Sequence, residues 1–161
     1  MRVREDVVVL PDGSYGLYGV VEKPDFSLVM PRYDGGFWMV EQFRYPIGRR
    51  SWEFPQGSWP VGRAGTSEEL ARAELAEETG LRAAHWKHLG RAYAACGFCA
   101  QGFDVHLAWD LTCGEPNREP TEQDMRHLPI DDADLDRMIL AGEIVDAHTL
   151  AALTLHRITT G

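Results

Sequence analysis

The segment from Thr66 to Gly80, TSEELARAELAEETG, limits the choice of fold most, because both ends of a helix are marked in it. Thr66 is a good N-cap, and Glu69 stands at the third helical position, where its side chain completes a capping box. Gly80 is a natural helix stop. We therefore predict a helix in the middle of the chain that runs to about Thr79 and packs through its leucines and alanines.

Strand patterns precede and follow this helix. DVVVL, the turn PDGS and YGLYGVVE predict an N-terminal hairpin, and FSLVM, DGG and FWMVEQFRY predict a second one. Residues 46–65, rich in glycine and proline, predict a loop. AHWKHLGRAYA and GFDVHLAWDLT predict further strands, whereas DDADLDRMILAG and DAHTLAALTLHRI predict two closing helices. This order favours a mixed α/β sandwich over a doubly wound sheet.

Length and charge exclude several functional classes. The 161 residues fit one domain, 1–161, with a real core. The net charge of −9 argues against nucleic acid or an anionic membrane as the main partner, so an anionic substrate would need a local basic pocket or a metal ion. No apolar run approaches membrane-span length, and the start MRVREDVVVL is not that of a signal peptide. Three cysteines are too few for a disulfide scaffold, so we expect a reducing cytoplasm.

Three glutamates on the predicted helix indicate chemistry. Glu74, Glu77 and Glu78 lie three or four residues apart and share one helix face, where like charges repel. Glu78 and Leu81 occupy the positions four residues after Glu74 and Glu77, so neither of these has a basic partner there. A hard cation such as Mg²⁺ takes oxygen ligands, usually one or two carboxylates with substrate phosphates and waters. Glu74 and Glu78 have the right reach, and the preceding loop can bring backbone carbonyls close to them.

The chain resembles a known family over most of its length. GSWPVGRAGTSEELARAELAEETGL, residues 57–81, is similar to a Nudix box, G-x5-E-x7-R-E-U-x-E-E-x-G-U with U aliphatic, and its core at Glu74–Leu81 matches in full. LPDGSYGLYGVVEKPDFSLVM, VEQFRYPIG and WEFPQG resemble the region before the box in ADP-ribose pyrophosphatases and related nucleotide-sugar hydrolases. MILAGEIVDAHTLAALTLH resembles the closing helices of that subfamily.

The resemblance implies both a fold and an activity. The fold is an α/β/α sandwich with a mixed sheet and an N-terminal antiparallel hairpin extension. The activity is hydrolysis, dependent on Mg²⁺ with Mn²⁺ as an alternative, of a nucleoside diphosphate linked to a second moiety, either ADP-ribose or a nucleotide sugar. The products are a nucleoside monophosphate and a phosphorylated second product. The resemblance also implies a homodimer with the N-terminal hairpin at its interface.

The resemblance implies a metal site and a general base. Glu74, Glu78 and the backbone carbonyl of Gln56 match the metal ligands, and Glu77 joins the catalytic group as a further ligand or as a partner of one. A carboxylate outside the box often serves as the base. In the polar loop EPNREPTEQDM we assign this role to Glu122, with Asp124 as its acidic neighbour and Glu119 as the next choice.

Four residues before the box are candidates for substrate binding, each with a structural alternative. Arg44 matches an arginine that contacts substrate in the subfamily; otherwise it forms a surface ion pair. Glu41 either faces the site or pairs with Arg44. Trp52 stacks on a nucleobase or packs in the core, and Glu53 stands beside it.

Departures from the family pattern motivate a second hypothesis. Ala73 and Gly65 occupy the positions of the usual arginine and first glutamate, and the loop after Gly57 is two residues longer than the pattern. Glu68 or Glu69 is a candidate to compensate in part for the missing glutamate, but both lie inside the predicted helix. These changes suggest, as the alternative, a catalytically weak or inactive scaffold that binds a nucleotide or a protein partner.

A third and weaker hypothesis is a redox or zinc module built on Cys96 and Cys99. Neither the nucleobase nor the second moiety of the substrate follows from the motif, because loops around the pocket select them.

Overall fold

The computed structural model describes residues 1–160. Its strands are Arg2–Val9 (β1), Tyr15–Glu22 (β2), Phe26–Tyr33 (β3), Gly36–Arg44 (β4), Arg49–Glu53 (β5), Gln56–Gly57 (β6), Arg82–Ala95 (β7), Cys99–Thr112 (β8) and Arg126–Asp131 (β9). Its α-helices are Ser67–Thr79 (α1), Asp132–Leu140 (α2) and Ala147–Thr160 (α3). Within this part of the chain no helix is long and apolar enough to cross a membrane.

The helices cover both faces of the sheet. Successive residues of β3 point to opposite sides: Leu28 and Met30 join one buried cluster, and Val29 joins another. The first cluster includes α2 and α3 through Leu135, Met138, Ala152 and Leu153. The second includes α1 through Ala71 and Leu75. The predicted mixed α/β sandwich is therefore confirmed, with α1 in one outer layer and α2 and α3 in the other.

Parallel and antiparallel pairs are mixed in the sheet. β3 and β8 run parallel from Phe26 opposite Phe103 to Pro31 opposite Ala108, and β7 pairs with β8 in the antiparallel sense. β4 lies between β5 and β9, antiparallel to both. The two residues of β6 pair with β3. This short pairing holds the segment just before the Nudix-like box at the sheet, next to α1.

The capping of α1 agrees with the prediction. The Thr66 hydroxyl accepts a hydrogen bond from the Glu69 backbone N–H at 3.1 Å, and the Glu69 carboxylate accepts one from the Thr66 N–H at 2.7 Å. Gly80 ends the helix in the left-handed region at φ 75°, where glycine is free of steric penalty. Its N–H donates to the carbonyl of Ala76.

The prediction of a loop over residues 46–65 was wrong in part, because β5 and β6 lie in it. The sequence of β5, RRSWE, has one apolar side chain and no alternation, so its strand is formed by pairing with β4, from Arg44 opposite Arg49 to Val40 opposite Glu53. β9 was not predicted either. It pairs along β4 on the other side, from Gly36 opposite Asp131 to Glu41 opposite Arg126.

The N-terminal hairpin is present and projects from the sheet. β1 and β2 pair over their whole length, whereas one parallel pair, Val21 with Cys99, joins β2 to β8. The Tyr18 hydroxyl donates to the carbonyl of Gly97 at 2.6 Å. One face of the hairpin is exposed and carries large apolar side chains: Val3, Val7, Val9, Tyr15 and Leu17.

Candidate active site

Two of the three box-core glutamates open into a small cavity of about 120 Å³. Glu74 and Glu77 line it with Gln56 and with Glu119 and Glu122 from the polar loop. Glu78, one helical turn from Glu74, is 1% exposed. Tertiary structure thus brings the predicted ligands and two of the three candidate bases to one place.

The loop that carries Glu119 and Glu122 is tied to the end of α1. The Asn117 backbone N–H donates to the carbonyl of Glu77 at 2.9 Å. The Arg118 guanidinium donates to the carbonyl of Glu78 at 2.8 Å. These bonds satisfy carbonyls in the last turn of the helix, which have no partner within it. They also hold the loop over the acidic face of α1.

In the part of the chain that the structure describes, the negative charges of this glutamate cluster are not balanced by nearby positive charges. Burial, and to a lesser extent the nearby Glu77, Glu122 and Glu119 carboxylates, together raise the pKa of Glu74 to about 8. Burial, then Glu74 and Glu122, raise the pKa of Glu78 well above its ordinary value, against a smaller opposite effect of Arg44. Oε2 of Glu78 is buried without a hydrogen-bond partner among the described residues. A cation at this position would relieve each of these penalties.

The backbone at Gly57 passes very close to the carboxylate of Glu74. A Cβ atom on Gly57 would overlap the carboxylate of Glu74, so any larger residue at this position would displace that carboxylate. No group of three or more His, Cys, Asp or Glu side chains is arranged as a metal site within residues 1–160. A Mg²⁺ site does not need such a group, since this ion takes one or two carboxylates and completes its shell with other oxygens. The donors present therefore fit Mg²⁺.

The candidate bases differ in their surroundings. Glu122 is half-buried and faces the cluster, and burial raises its pKa, although a hydrogen bond from the Glu119 N–H opposes the shift. Asp124 points elsewhere: its Oδ2 accepts a hydrogen bond from Arg50 at 2.6 Å. Glu119 lines the cavity but is exposed.

A larger cavity of about 430 Å³ adjoins the small one, and Gln56, Gly57 and Ser58 line both. Arg44 and Glu53 lie in its wall. The Arg44 Nε atom is 3.0 and 3.1 Å from the two Glu53 carboxylate oxygens, and Nη2 is 2.5 Å from one of them. Glu53 is 2% exposed, so this ion pair fixes the guanidinium at the cavity.

Glu41 and Trp52 lie on the other face of β4 and β5. Glu41 is opposite Trp52, whereas Glu53 is opposite Val40, and adjacent residues of a strand point to opposite sides. Glu41 accepts hydrogen bonds from Arg50 and Arg126, not from Arg44. Trp52 packs against the core on the α2 and α3 side. Of the four residues predicted to bind substrate, the structure brings Arg44 and Glu53 to the cavity.

Sequence reasoning missed several residues of the larger cavity. Lys23 follows β2, Gln101 lies on β8, and Asp146 and His148 stand at the start of α3. Burial raises the pKa of Asp146, but hydrogen bonds from His148 and Thr149 outweigh it and hold the pKa well below its ordinary range. These residues are too far apart in the chain for any spacing rule to group them. The local signal was the N-cap pattern of Asp146 before Thr149.

The two departures from the box pattern are not compensated by their neighbours. Ala73 faces the small cavity. Arg72 points away from it, pairs with Glu68 and lies over the ring of Trp86. Glu69 is used in the N-cap of α1.

The cysteines do not form a metal centre. Cys96, Cys99 and Cys113 are free thiols, and only Cys99 of the three is buried.

Comparison with known proteins identifies the family. The chain is 37% identical over 163 aligned positions to the ADP-ribose pyrophosphatase of Mycobacterium tuberculosis, covering 99% of this chain and 78% of that protein. The chain belongs to the Nudix family. It is also 31% identical over 148 positions to the ADP-ribose pyrophosphatase of Bacillus subtilis, covering 91% of this chain and 79% of that protein. No protein-family model matches it.

A solved structure agrees with the Nudix fold. A crystal structure described as an ADP compounds hydrolase superposes with a TM-score of 0.83 over 96% of this chain and 83% of that chain. Its sequence identity is 18%, so this likeness shows the fold. The Nudix prediction, made from the motif around Glu74 and Glu78, is therefore confirmed for both family and fold, and the protein is a Nudix pyrophosphohydrolase.

Proposed function

We propose that this Nudix protein hydrolyses ADP-ribose, or a closely related nucleoside diphosphate derivative, with Mg²⁺ as cofactor and Mn²⁺ as an alternative. The observation that carries the proposal is the partly buried acidic cluster of Glu74, Glu77, Glu78 and Glu122, which lies beside a cavity that contains Arg44. The names of both curated relatives support the choice of substrate. Hydrolysis of ADP-ribose yields AMP and ribose 5-phosphate.

Glu74, Glu78 and the backbone carbonyl of Gln56 are the residues that hold the metal in this proposal. Mg²⁺ bound at such a site polarises a phosphoryl oxygen and lowers the pKa of bound water. Glu77 faces the same cavity as Glu74 and serves as a further ligand or orients one. Glu78 is buried, so its carboxylate is held in place by packing.

Glu122 acts as the general base. Its raised pKa brings it closer to neutral pH, which suits a group that must accept a proton from water. It takes one proton as the water oxygen bonds to phosphorus and the diphosphate P–O bond breaks. Asp124 is less suited, because its carboxylate is neutralised by Arg50.

Arg44 is the proposed phosphate contact of the larger cavity. Its guanidinium is oriented by Glu53 while remaining 40% exposed. A planar guanidinium suits phosphate oxygens well. The cavity volume lies within the usual range of small-ligand sites, about 300 to 1,000 Å³.

One observation favours a second candidate function, a nucleotide-binding scaffold with little or no activity. Ala73 lies in the wall of the small cavity, at the position where the family pattern has an arginine. The test is to incubate the protein with ADP-ribose, nucleotide sugars and dinucleoside polyphosphates, with and without Mg²⁺. Turnover that chelation abolishes supports the enzyme, whereas binding without turnover supports the scaffold.

The proposed assembly is a homodimer, formed by the exposed hairpin face of Val3, Val7, Val9, Tyr15 and Leu17. That face is apolar apart from Glu5, and the charged side chains of the opposite face pair among themselves, as Arg4 does with Glu22 at 2.8 Å. A two-fold dimer brings the same face of both subunits together, so each apolar face would be buried against its copy, which is worth about 25 cal/mol per Å² of apolar surface.

Leu17→Lys tests the dimer. The substitution places a charge in the middle of the apolar face without touching the acidic cluster, so we expect a monomer by light scattering at micromolar concentration. His85→Lys, on the exposed side of β7, is the control and should leave the mass of the wild-type dimer. A wild-type protein that is already a monomer refutes the proposal.

Two further proposals concern the domain organisation of the chain and its location in the cell. We propose that residues 1–161 act as one Nudix domain, and that the free thiols of the three cysteines reflect a cytoplasmic location.

A further inference from the structure

An aspartate–histidine pair in the wall of the larger cavity has no part in the proposed chemistry. Nδ1 of His148 lies 3.2 Å from Oδ1 of Asp146. The second oxygen, Oδ2, accepts hydrogen bonds from the Thr149 backbone N–H at 2.9 Å and from its hydroxyl at 2.8 Å. The carboxylate is therefore held from both sides at the start of α3.

This arrangement fixes the orientation of the imidazole. Its ring meets the edges of Phe26 and Phe103 at centroid distances of 4.9 and 5.0 Å. A carboxylate beside Nδ1 favours the tautomer that carries the proton there. Nε2 is then the ring atom left with a free lone pair, and it can accept a hydrogen bond from a ligand in the cavity.

The pair is also linked to the residue that joins the two cavities. The side-chain amide of Gln56 donates to Oδ2 of Asp146 at 3.1 Å, and Gln56 lines both the small acidic cavity and the larger one. With the diphosphate at the acidic cavity, as in the proposed function, the part of the ligand that follows it enters the larger cavity, whose wall contains His148. In ADP-ribose the diphosphate is joined to a ribose at each end, so this part is a ribose whichever end enters the cavity.

We propose that His148 is a specificity-determining residue that accepts a hydrogen bond from a ribose hydroxyl through Nε2, with Asp146 as its positioning residue. The proposal rests on the proposed function of the site. It predicts that the protein distinguishes substrates by sugar hydroxyls next to the diphosphate.

The test pairs a change in the protein with a change in the substrate. Wild type and His148→Phe, which keeps a ring against Phe26 and Phe103, are assayed with ADP-ribose and with the four analogues that lack one 2′- or 3′-hydroxyl of either ribose. On wild type we expect one analogue to lose about 3- to 10-fold in kcat/KM, the effect of one net hydrogen bond. His148→Phe should lose a similar factor with ADP-ribose and nothing further with that analogue.

Two controls separate recognition from a structural role. His85→Phe, on an exposed ring stacked on Trp109 outside the cavity, should keep the wild-type ratios for all analogues. His148→Gln, which retains a hydrogen-bonding side chain, should recover part of the discrimination. If His148→Phe does not fold, His148→Ala is used in the same cycle.

The outcomes are distinct. If His148→Phe shows the same hydroxyl preferences as wild type, the inference is overturned while the proposed function stands. If wild type binds ADP-ribose without turnover, the proposed hydrolysis fails, and the same cycle is measured on Kd by calorimetry. If wild type neither binds nor cleaves ADP-ribose, both proposals fail.

Discussion

Replacing Glu78 by glutamine tests the metal site through stability as well as activity. The substitution keeps the size of a side chain that is 1% exposed and removes its charge. Glu74 and Glu78 are one turn apart, about 6 Å between side chains. At that distance two ionised carboxylates repel by about 3 kcal/mol at an effective dielectric constant of 20. Because the raised pKa of Glu74 lets the metal-free protein avoid part of this cost by binding a proton, we expect a gain of about 1 to 3 kcal/mol in the free energy of unfolding.

That gain corresponds to a rise in Tm of about 2 to 12 °C for a chain of this length. Metal should stabilise wild type and have little effect on the variant. Mg²⁺ at 100 times its Kd stabilises wild type by about 2.7 kcal/mol, and this increment should be largely absent in Glu78→Gln together with most of the activity.

The measurement is thermal unfolding in EDTA and in Mg²⁺, with Glu68→Gln as the control. Glu68 is an exposed residue of the same helix that pairs with Arg72, so its variant should keep the full response to Mg²⁺. A Glu78→Gln protein with a lowered metal-free Tm, or with an undiminished Mg²⁺ increment, would refute the assignment.

Two further predictions concern the same cavity. Gly57→Ala should raise the Mg²⁺ concentration needed for half-maximal activity, because the new Cβ displaces the Glu74 carboxylate. We expect a rise of about tenfold, in the range seen when the surroundings of metal ligands are altered. An unchanged Mg²⁺ requirement would contradict this prediction. Glu122→Gln should lower kcat by about 10² to 10⁴ and spare Mg²⁺ binding, whereas Asp124→Asn, which removes an ion pair with Arg50, should stay within a few-fold of wild type. The reverse order, measured in single-turnover kinetics, would move the base to Asp124.

The helix α1 and its acidic face could be predicted from the sequence because their signals are local. The capping box of Thr66 and Glu69 and the stop at Gly80 act within one turn of the helix ends. The spacing of Glu74, Glu77 and Glu78 fixes their common face through the helical repeat alone. The hairpin of β1 and β2 could be predicted equally well, because its turn residues and its two strand segments follow one another directly in the chain.

Other elements depended on partners that the chain meets only after folding. β5 and β9 have weak strand patterns of their own and form on the two sides of β4. Glu41 and Trp52 do not line the larger cavity, for a related reason. Successive side chains of a strand point to opposite faces of the sheet. The pairing register, and not nearness to the box in the sequence, therefore decides which side chains reach the cavity.

The sequence alone therefore contained the family, the order of the main elements and the carboxylates of α1, because motif, cap and helical periodicity are properties of neighbouring residues. Tertiary structure decided that Glu53 orients Arg44, that Arg50 engages Asp124, and that the loop of Glu122 lies over α1. It also placed His148 in the cavity wall. Each of these contacts joins residues that are not neighbours in the chain. Their formation depends on the free energy of packing whole layers together, which no short stretch of sequence determines.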